Sequence, residues 1–337
     1  MKILVLIDKF KNSLSSNQLG KLCKSTLKQH EVDYFPISDG GDGFLDTIYS
    51  NNSNIKKRYI NVYDALRNIK RTYYLIDNQV AYIEVAKIIG YNKENKLDVF
   101  NATTYGVGQV IFDAIKHGIK TFYIGLGGSI TNDGGKGMLE ALGYSFNNSV
   151  INNCPFNLNE YSFNIISDVN NPLLGNNGAT YVFSKQKGAK KSQFKQLEER
   201  MINYSNLICK YLNKDYTNRQ GAGAAGGLGF AFISILNANY FSGIDFTLNY
   251  LNIGKIVNKY DLIITGEGKV DKQSLNGKIV FEITNRYKKD TLILCAIKEV
   301  ESNNLYSIVP NITTKEKSLK YTPYYFKKLL NSINILK

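Results

Sequence analysis

Three short, continuous apolar runs near the two ends of the chain constrain the fold more than any other feature. The strands that they predict span residues 2–7, 262–265 and 292–297. Runs of this length and composition are typical of parallel strands buried on both faces. A capping box at Ser15 and Gln18, followed by apolar residues at helical spacing, places a helix between the first run and a strand over 32–37. The sequence therefore predicts an α/β fold whose parallel sheet, of the Rossmann or flavodoxin-like type, is built from both termini.

The middle of the chain has a different pattern. Residues 59–85 alternate β-branched and aromatic with polar residues and are interrupted at 64–68 and 77–78, which predicts antiparallel hairpins. A helix over 105–117, strands over 121–124 and 165–168, and a surface helix within 190–215 follow. A chain of 337 residues exceeds the roughly 250–300 residues that one core supports. We therefore predict two α/β domains: a discontinuous Rossmann-like domain of residues 1–60 and 255–337, and a second mixed domain of residues 61–254. Residues 100–130 can belong to either, and the active site is expected in the cleft between them.

Four glycine-rich segments carry hydroxyl, amide, carboxylate and ammonium groups. They span residues 38–43, 125–137, 221–229 and 265–271. Glycine lets the backbone approach a ligand and adopt positive φ, and successive N–H groups in such a turn form an anion site. Several of the segments follow predicted strands, where open α/β sheets bind ligands. We predict one shared polyanion site, with Gly127, Gly128 and Ser129 among its phosphate-binding residues.

Two glycine motifs need separate treatment. Residues 221–226 spell G-x-G-x-x-G, but they follow a polar stretch rather than a strand, so the dinucleotide-binding fingerprint is not met. Gly223 and Gly226 either expose N–H groups to phosphate at a helix N-terminus or permit tight packing, and both interpretations stay open. Lys136 follows a glycine but precedes Gly137, so the segment is not a Walker A loop.

Carboxylates are the candidates for acid–base chemistry. The two histidines, His30 and His117, lie at the ends of helical segments, which favours structural roles and leaves a carboxylate or a lysine as general base. The carboxylates that occupy turns beside Gly, Asn or Lys are Asp8, Asp39, Asp42, Asp133, Asp168, Glu267 and Asp271. Each alone could be a helix cap or an Asx-turn. Together with lysines and glycine turns they suit Mg²⁺-nucleotide chemistry, so the residues predict a phosphoryl transferase.

Composition limits the partners. The net charge of +14 is spread along the chain without a compact basic block, so we predict no nucleic-acid partner. The four cysteines are far apart and form no C-x-x-C pair, which indicates free thiols and a reducing cytoplasm. The N-terminal apolar run is shorter than the roughly 7–15 residues of a signal-peptide core, and no later segment predicts a membrane span. The sequence does not predict an oligomeric state.

At these motifs the chain closely resembles the type I family of bacterial glycerate kinases, from Asp8 to about Lys278. The resembling stretches are residues 8–15, 38–43, 103–108, 125–137, 168–175, 186–189, 221–229, 242–245 and 264–278. The resemblance implies a two-domain kinase that moves the γ-phosphoryl group of ATP, with Mg²⁺, onto a hydroxyl of the small-molecule substrate D-glycerate. It favours 2-phosphoglycerate over 3-phosphoglycerate as the product.

The resemblance also implies a set of site residues. They are Asp8, Lys11, Asp39, Thr131, Asn132, Asp133, Asp168, Asn171, Lys187, Glu267 and Asp271. We expect Asp168 to be the base that orients the substrate hydroxyl, and Lys11 and Lys187 to neutralise phosphate or the glycerate carboxylate. Asp8 and Asp39 are further catalytic candidates. The expected Mg²⁺ ligands are Asp133, Glu267 and Asp271.

The chain departs from the family pattern at several positions. The family usually has Pro-Asp-Ser at 7–9 and Glu-Gly-Thr at 42–44, often Arg at 269, and a glycine-containing turn near 296–298. Here Lys9, Phe44, Lys269 and Ile297 stand at these places. Two alternatives therefore stay open: a kinase of the same fold for another small hydroxy acid, and a non-catalytic homologue that binds nucleotide or another polyanion.

Overall fold

The computed structural model describes residues 1–91, 97–147, 150–152, 154–271 and 279–333. The chain forms two compact units. The terminal unit comprises residues 1–39, 46–53 and 244–337, and the central unit comprises residues 40–45 and 54–243. Residues 100–130 lie in the central unit.

The described strands, in chain order, are β1 Lys2–Ile7, β2 Glu31–Tyr34, β3 Lys56–Tyr63, β4 Ile69–Asp77, β5 Val80–Glu84, β6 Thr121–Gly125, β7 Ser145–Asn147, β8 Val150–Asn152, β9 Ser162–Ile166, β10 Asn239–Phe241, β11 Leu262–Val270, β12 Asp290–Lys298 and β13 Leu305–Val309.

The described α-helices are α1 Ser16–Thr26, α2 Phe44–Asn51, α3 Val85–Ile89, α4 Tyr105–Lys116, α5 Lys136–Ala141, α6 Ala179–Phe183, α7 Phe194–Leu212, α8 Ala224–Ser234, α9 Gly243–Tyr250, α10 Ile253–Ile256, α11 Ile279–Arg286, α12 Lys315–Lys320 and α13 Thr322–Ser332. Short 3₁₀ helices span Leu158–Glu160, Lys185–Lys187, Lys191–Gln193 and Val257–Lys259. Within the described ranges, no helix combines the length and apolar character needed to cross a membrane.

The terminal unit is built on a five-stranded, fully parallel sheet in the order β2-β1-β11-β12-β13. Because side chains alternate across a strand, β1 supplies apolar residues to both faces. Ile3 and Val5 belong to the core that includes buried side chains of α1 and α13. Leu4 and Leu6 belong to the opposite core, with side chains of α9 and α11. This strand order is that of flavodoxin-like folds.

The central unit contains a six-stranded mixed sheet in the order β10-β9-β6-β5-β4-β3. Strands β10, β9, β6 and β5 are parallel, and β4 and β3 add an antiparallel edge. Its core joins residues of α4 and α8 with buried aromatics such as Phe122 and Phe163, whose rings stack at a centroid distance of 5.0 Å. Strands β7 and β8 form a separate two-stranded sheet.

The predicted fold class is confirmed: a flavodoxin-like parallel sheet from both termini and a second, mixed α/β unit. One predicted loop is wrong, because residues 265–270 are not a turn but belong to β11, which stays paired with β12 as far as Val270. At Gly266 a Cβ would lie 1.8 Å from the carbonyl oxygen of Leu294. The close approach of the neighbouring strand therefore explains the glycine that suggested a turn.

Candidate active site

The carboxyl end of β1 brings together two of the predicted site residues in the terminal unit. Asp8 directly follows β1, and its backbone N–H donates to the carbonyl oxygen of Gly266 at 2.9 Å. Glu267 is the next residue on β11. In a sheet of this order, ligands bind beyond the carboxyl ends of the strands at the point where the order reverses, which here lies between β1 and β11. Asp8 and Glu267 therefore occupy the position in this unit that is best suited to a ligand.

Asp8 is a buried carboxyl group in a charged environment. Burial raises its pKa to about 7; the negative charges of Asp39 and Glu267 add to the rise, and Lys9 opposes it. The Lys9 ammonium lies 3.7 Å from Asp8 Oδ1 and 3.6 Å from Asp39 Oδ1. Asp8 Oδ1 is buried and accepts no hydrogen bond from the described residues. The arrangement disfavours the ionised form of Asp8 until further positive charge arrives.

The raised pKa of Asp8 predicts a pH-dependent stability effect. Between about pH 4 and pH 7 the folded chain holds a proton that the unfolded chain releases, so folding stability falls as the pH rises through this window. Asp8→Asn should therefore raise the free energy of unfolding at pH 8 by about 2–4 kcal/mol, at about 1.4 kcal/mol per pKa unit. The gain should nearly vanish at pH 4. Chemical unfolding at both pH values measures this gain in stability. The control is Asp290→Asn, because Asp290 is an exposed carboxylate at the start of β12. An equal gain for Asp8→Asn at both pH values would contradict the assigned pKa.

The central unit presents the glycine-rich segment at the carboxyl end of β6. Its first turn is packed closely: the N–H of Gly127 donates to the carbonyl oxygen of Gly40 at 3.3 Å, and a Cβ on Gly127 would lie 2.4 Å from Gly41 Cα. Gly128 has φ of +84° and is exposed. Ser129, the next residue, pairs with Gly90 in an isolated antiparallel β-bridge. Only glycine fits the first two positions, and of the two only Gly128 leaves exposed backbone.

Lys187 is the buried cation of this segment. It ends the 3₁₀ helix Lys185–Lys187 and is 5% exposed. Its Nζ donates to the carbonyl oxygen of Thr131 at 2.8 Å and to Ser129 Oγ at 3.3 Å. Burial lowers its pKa to about 7, and the charge of Asp133 opposes that change. A desolvated ammonium group held by two loop oxygens is a suitable partner for an incoming anion, since the anion would stabilise its charged form.

Asp133 has a different environment from the one predicted for a metal ligand. Its Oδ2 accepts hydrogen bonds from the N–H and Oγ1 of Thr104 at 2.8 and 2.9 Å and from the N–H of Gly137 at 3.2 Å. Its Oδ1 accepts from the N–H of Gly135 at 3.1 Å. These four bonds join the glycine-rich segment to the start of α4 and to the first turn of α5. Asp133 thus acts as a brace for the segment.

The glycines at 223 and 226 are explained by packing. A Cβ on Gly226 would lie 1.9 Å from the carbonyl oxygen of Thr131, and φ at Gly226 is +70°. A Cβ on Gly223 would lie 2.3 Å from the carbonyl oxygen of Pro172, and its N–H donates to the carbonyl oxygen of Asn171 at 2.9 Å. The two glycines let the start of α8 pack closely against the backbone of Thr131 and Pro172. Of the two interpretations left open by the sequence, this geometry favours close packing.

Asp168 and Asn171 follow β9, which neighbours β6 in the sheet, so they lie at the same sheet edge as the glycine-rich segment. Asp168 Oδ1 accepts hydrogen bonds from Ser242 Oγ at 2.9 Å and from the N–H of Gly243 at 2.8 Å. Asn171 Nδ2 donates to the carbonyl oxygen of Asn177 at 2.8 Å and so shapes its own turn. The orientation of the Asp168 carboxylate is therefore fixed by its neighbours.

Lys11 and Asp271 are further predicted residues, and both belong to the terminal unit. Lys11 is exposed in the turn after β1, and its backbone N lies 3.3 Å from the position that a Cβ on Gly268 would take. Lys269, where the family often has arginine, pairs with Glu299 at 2.8 Å and with Asp271 at 3.6 Å. Asp271 therefore belongs to a partly exposed ion-pair network. Of the resembling stretch 264–278, residues 272–278 lie outside the described residues.

The donor set fits a magnesium ion that is held mainly by a bound phosphate chain. Across the described ranges, no cluster of three or more His, Cys, Asp or Glu side chains is arranged to hold a metal. Mg²⁺ is commonly held by one or two carboxylates together with substrate phosphate oxygens, so such a cluster is not required. Asp8 offers a buried oxygen that accepts no hydrogen bond from the described residues, and the charge of Glu267 acts on it. These two carboxylates fit the group better than Asp133 does.

Sequence reasoning missed Glu84, a second buried carboxyl group. Glu84 ends β5, beside Gly125 at the end of β6, and is 1% exposed. Its Oε2 accepts from the N–H of Leu45 at 2.9 Å, and Lys87 Nζ lies 3.8 Å from its Oε1. Burial raises its pKa to about 7. The available signal was an acidic residue at the end of an apolar strand. The hairpin pattern of 59–85 indicates strands and turns, but it does not distinguish a functional carboxylate at a strand end.

Comparisons with known proteins agree with this architecture. The model of the glycerate kinase family matches residues 3–333. A glycerate kinase of Bacillus cereus is 32% identical, with 95% of this chain and 93% of that protein covered. A glycerate 2-kinase of Escherichia coli is 31% identical over 86% of this chain and 82% of that protein.

A solved structure extends the match to three dimensions. The crystal structure assigned as glycerate kinase 2 of Salmonella typhimurium has a TM-score of 0.79 and 28% identity, covering 97% of this chain and 95% of that one. The enzyme class predicted from the motifs, a kinase, is confirmed at the level of the family. With a family model matched over nearly its whole length and relatives above 30% identity, this chain belongs to the glycerate kinase family.

Proposed function

We propose that this protein is an ATP-dependent kinase that phosphorylates D-glycerate. The observation that carries the proposal is the buried Lys187 ammonium bonded to the glycine-rich segment at the carboxyl end of β6. The segment combines exposed backbone at Gly128 with one desolvated cation, and both features favour the binding of a phosphate or carboxylate group. The relatives that match the chain from end to end carry the name glycerate kinase.

In the proposed reaction, a hydroxyl oxygen of glycerate attacks the γ-phosphorus of ATP. A bond forms between these two atoms while the bond from the γ-phosphorus to the bridging oxygen breaks, and ADP leaves with that oxygen. We assign Asp168 the role of accepting the hydroxyl proton, because Ser242 and Gly243 hold its carboxylate at the sheet edge. Positioning and charge neutralisation supply most of the rate in such transfers.

We assign the anion-neutralising role in the central unit to Lys187, with Thr131 and Asn132 on the same segment as partners. Lys11 is the corresponding candidate in the terminal unit. Mg²⁺, when bound with the nucleotide, would be held by Asp8 and Glu267 and would neutralise phosphate charge. Asp39 acts on this pair through Lys9, which lies between the Asp8 and Asp39 carboxylates.

We further propose 2-phosphoglycerate as the product and the cytosol as the compartment. The first proposal is supported by the Escherichia coli relative, which carries the name glycerate 2-kinase. The second is supported by the cysteines, all four of which are free thiols.

The proposal is tested by the release of ADP from Mg-ATP in the presence of D-glycerate, L-glycerate, lactate or glycolate, measured with the purified protein. We expect release with D-glycerate at least tenfold faster than with the other acids. A preference for another hydroxy acid would support the kinase of altered specificity suggested by the departures at Lys9 and Phe44. No release with any acid would favour the non-catalytic alternative.

Lys187→Met should lower kcat/KM by about 10- to 100-fold. A hydrogen bond to a charged group contributes about 1.5–3 kcal/mol, and about 1.4 kcal/mol corresponds to a factor of ten. The matched control is Lys185→Met, because Lys185 lies in the same 3₁₀ helix but is exposed. Equal activity of the two variants would argue against an anion site at Lys187.

A further inference from the structure

A cavity in the central unit adjoins the glycine-rich segment and has no role in the chemistry described so far. Its volume is about 360 Å³, and its walls include Asn132, Lys136, Phe146, Met201, Tyr204 and Leu207. Ligand cavities of proteins are typically about 300–1,000 Å³. The cavity is thus far larger than a three-carbon acid needs but suits a nucleoside.

The walls of the cavity are aromatic and aliphatic on one side. Phe146 and Tyr204 meet edge to face at a ring-centroid distance of 5.7 Å, and Tyr204 packs in the same way against Phe230 at 6.2 Å. Gly134 lies against the Tyr204 ring, since a Cβ there would come within 2.7 Å of it. These contacts fix the ring of Tyr204. Flat apolar walls of this kind favour a planar heterocycle.

Two residues of these walls each carry one buried polar atom that has no hydrogen-bond partner among the described residues. Asn132 is 7% exposed, and its Nδ2 donates to Thr180 Oγ1 at 3.2 Å. Its Oδ1, and the hydroxyl of Tyr204, are buried and have no hydrogen-bond partner in the described part of the chain. Buried polar groups left in this state cost free energy, so a ligand that bonds to both would be favoured. One is an acceptor and the other can donate, which matches an exocyclic amine beside a ring nitrogen.

Positive charge lies at the same cavity. Lys136 begins α5, its Nζ lies 3.6 Å from a carboxylate oxygen of Glu140, and it also sits over the Phe146 ring at 5.7 Å. Arg200 is another wall residue. Asn132 belongs both to the cavity and to the glycine-rich segment, one residue after the Thr131 carbonyl that binds Lys187. A ligand in the cavity can therefore extend a phosphate chain along the segment without leaving the central unit.

We propose that this cavity receives the adenine ring and ribose of ATP, with Asn132 and the Tyr204 hydroxyl bonding to the base. This inference rests on the proposed function, which supplies ATP as the ligand. It assigns α7, which carries Met201, Tyr204 and Leu207, to nucleotide recognition. The motif pattern gave that helix no chemical role.

The experiment distinguishes binding of the adenine base from binding of the phosphate chain. Leu207→Trp places a bulky ring in the cavity, and Ile202→Trp places the same ring on the exposed side of α7. Dissociation constants for Mg-ATP and for inorganic tripolyphosphate are measured by calorimetry on both variants and on the wild type. We expect Leu207→Trp to weaken Mg-ATP at least tenfold and to change tripolyphosphate less than twofold. Ile202→Trp should leave both constants unchanged.

A second variant tests the proposal independently in case Leu207→Trp does not fold. Tyr204→Phe removes one oxygen and should weaken Mg-ATP about 2- to 10-fold, the value of one neutral hydrogen bond, again without an effect on tripolyphosphate. Wild-type affinity for Mg-ATP in both variants, or an equal loss of ATP and tripolyphosphate binding, would overturn the proposal. Turnover of D-glycerate is measured separately, so a wild type that binds ATP but does not phosphorylate glycerate would contradict only the proposed function.

Discussion

Asp168→Asn should lower kcat by about 10²- to 10⁴-fold, which is the usual contribution of a positioned general base. Asparagine has nearly the same shape, and its side-chain oxygen can still accept the hydrogen bonds that Ser242 and Gly243 donate to Asp168. The substitution therefore removes the charge and the proton acceptor while the local fold keeps its contacts. KM for both substrates should change little, because the loss concerns the transition state.

Steady-state kinetics and thermal unfolding of the same preparation distinguish chemistry from folding. We expect a melting temperature within a few degrees of the wild type together with the loss of kcat. Asp215→Asn is the control, since Asp215 is an exposed carboxylate of the same unit whose Oδ1 accepts hydrogen bonds from Thr217 and Cys209. A kcat of Asp168→Asn within a few-fold of the wild type would remove Asp168 from the role of base.

Gly226→Ala should destabilise the chain by about 4 kcal/mol or more, which is exceptional for the addition of one methyl group. Two effects add. A non-glycine residue at φ of +70° costs about 1–2 kcal/mol. The new Cβ would also lie 1.9 Å from the carbonyl oxygen of Thr131 and 2.9 Å from Asn132 Cα, so the glycine-rich segment must move.

Gly175→Ala separates these two effects. Gly175 has φ of +81° in the same unit, but a Cβ there meets no atom within 4 Å. It should lose only the conformational part, about 1–2 kcal/mol, as measured by chemical unfolding. Gly226→Ala should also lower activity, because the Thr131 carbonyl binds Lys187. Equal stability of the two variants would show that the segment tolerates the displacement.

The sheet-forming parts of the fold could be predicted from local patterns. The first strand, the Ser15 capping box and the helix that begins at Tyr105 all agree with the structure. The conformation of the segment around Gly266 could not be predicted in this way. Glycine is required there because a carbonyl oxygen of the neighbouring strand leaves no room for a side chain, and no local pattern reveals that contact. A glycine signals that a side chain is excluded, and the cause can be a turn, a ligand or an adjacent backbone.

In the candidate site, too, local motifs could be predicted from the sequence and contacts between distant segments could not. Motifs identified the glycine-rich segment, and the structure joins it to Lys187, which is 56 residues from Thr131 in sequence. The bracing role of Asp133 depends on contacts from distant segments and has no sequence signature. The burial of Glu84 also depends on such contacts, and its one local signal is an acidic residue at the end of an apolar strand. Tyr204 on α7 likewise resembles an ordinary core residue in the sequence. Its hydroxyl, which has no hydrogen-bond partner in the described part of the chain, and the adjoining cavity become evident only in the structure.

The most direct test of the central claim is phosphorus NMR of the purified protein incubated with Mg-ATP and D-glycerate. This measurement detects turnover and distinguishes the two phosphoglycerates in one spectrum. We expect the resonances of ATP to decline while those of ADP and 2-phosphoglycerate grow in equal amounts. A 3-phosphoglycerate signal would contradict the proposed position of transfer, and intact ATP would contradict glycerate phosphorylation itself.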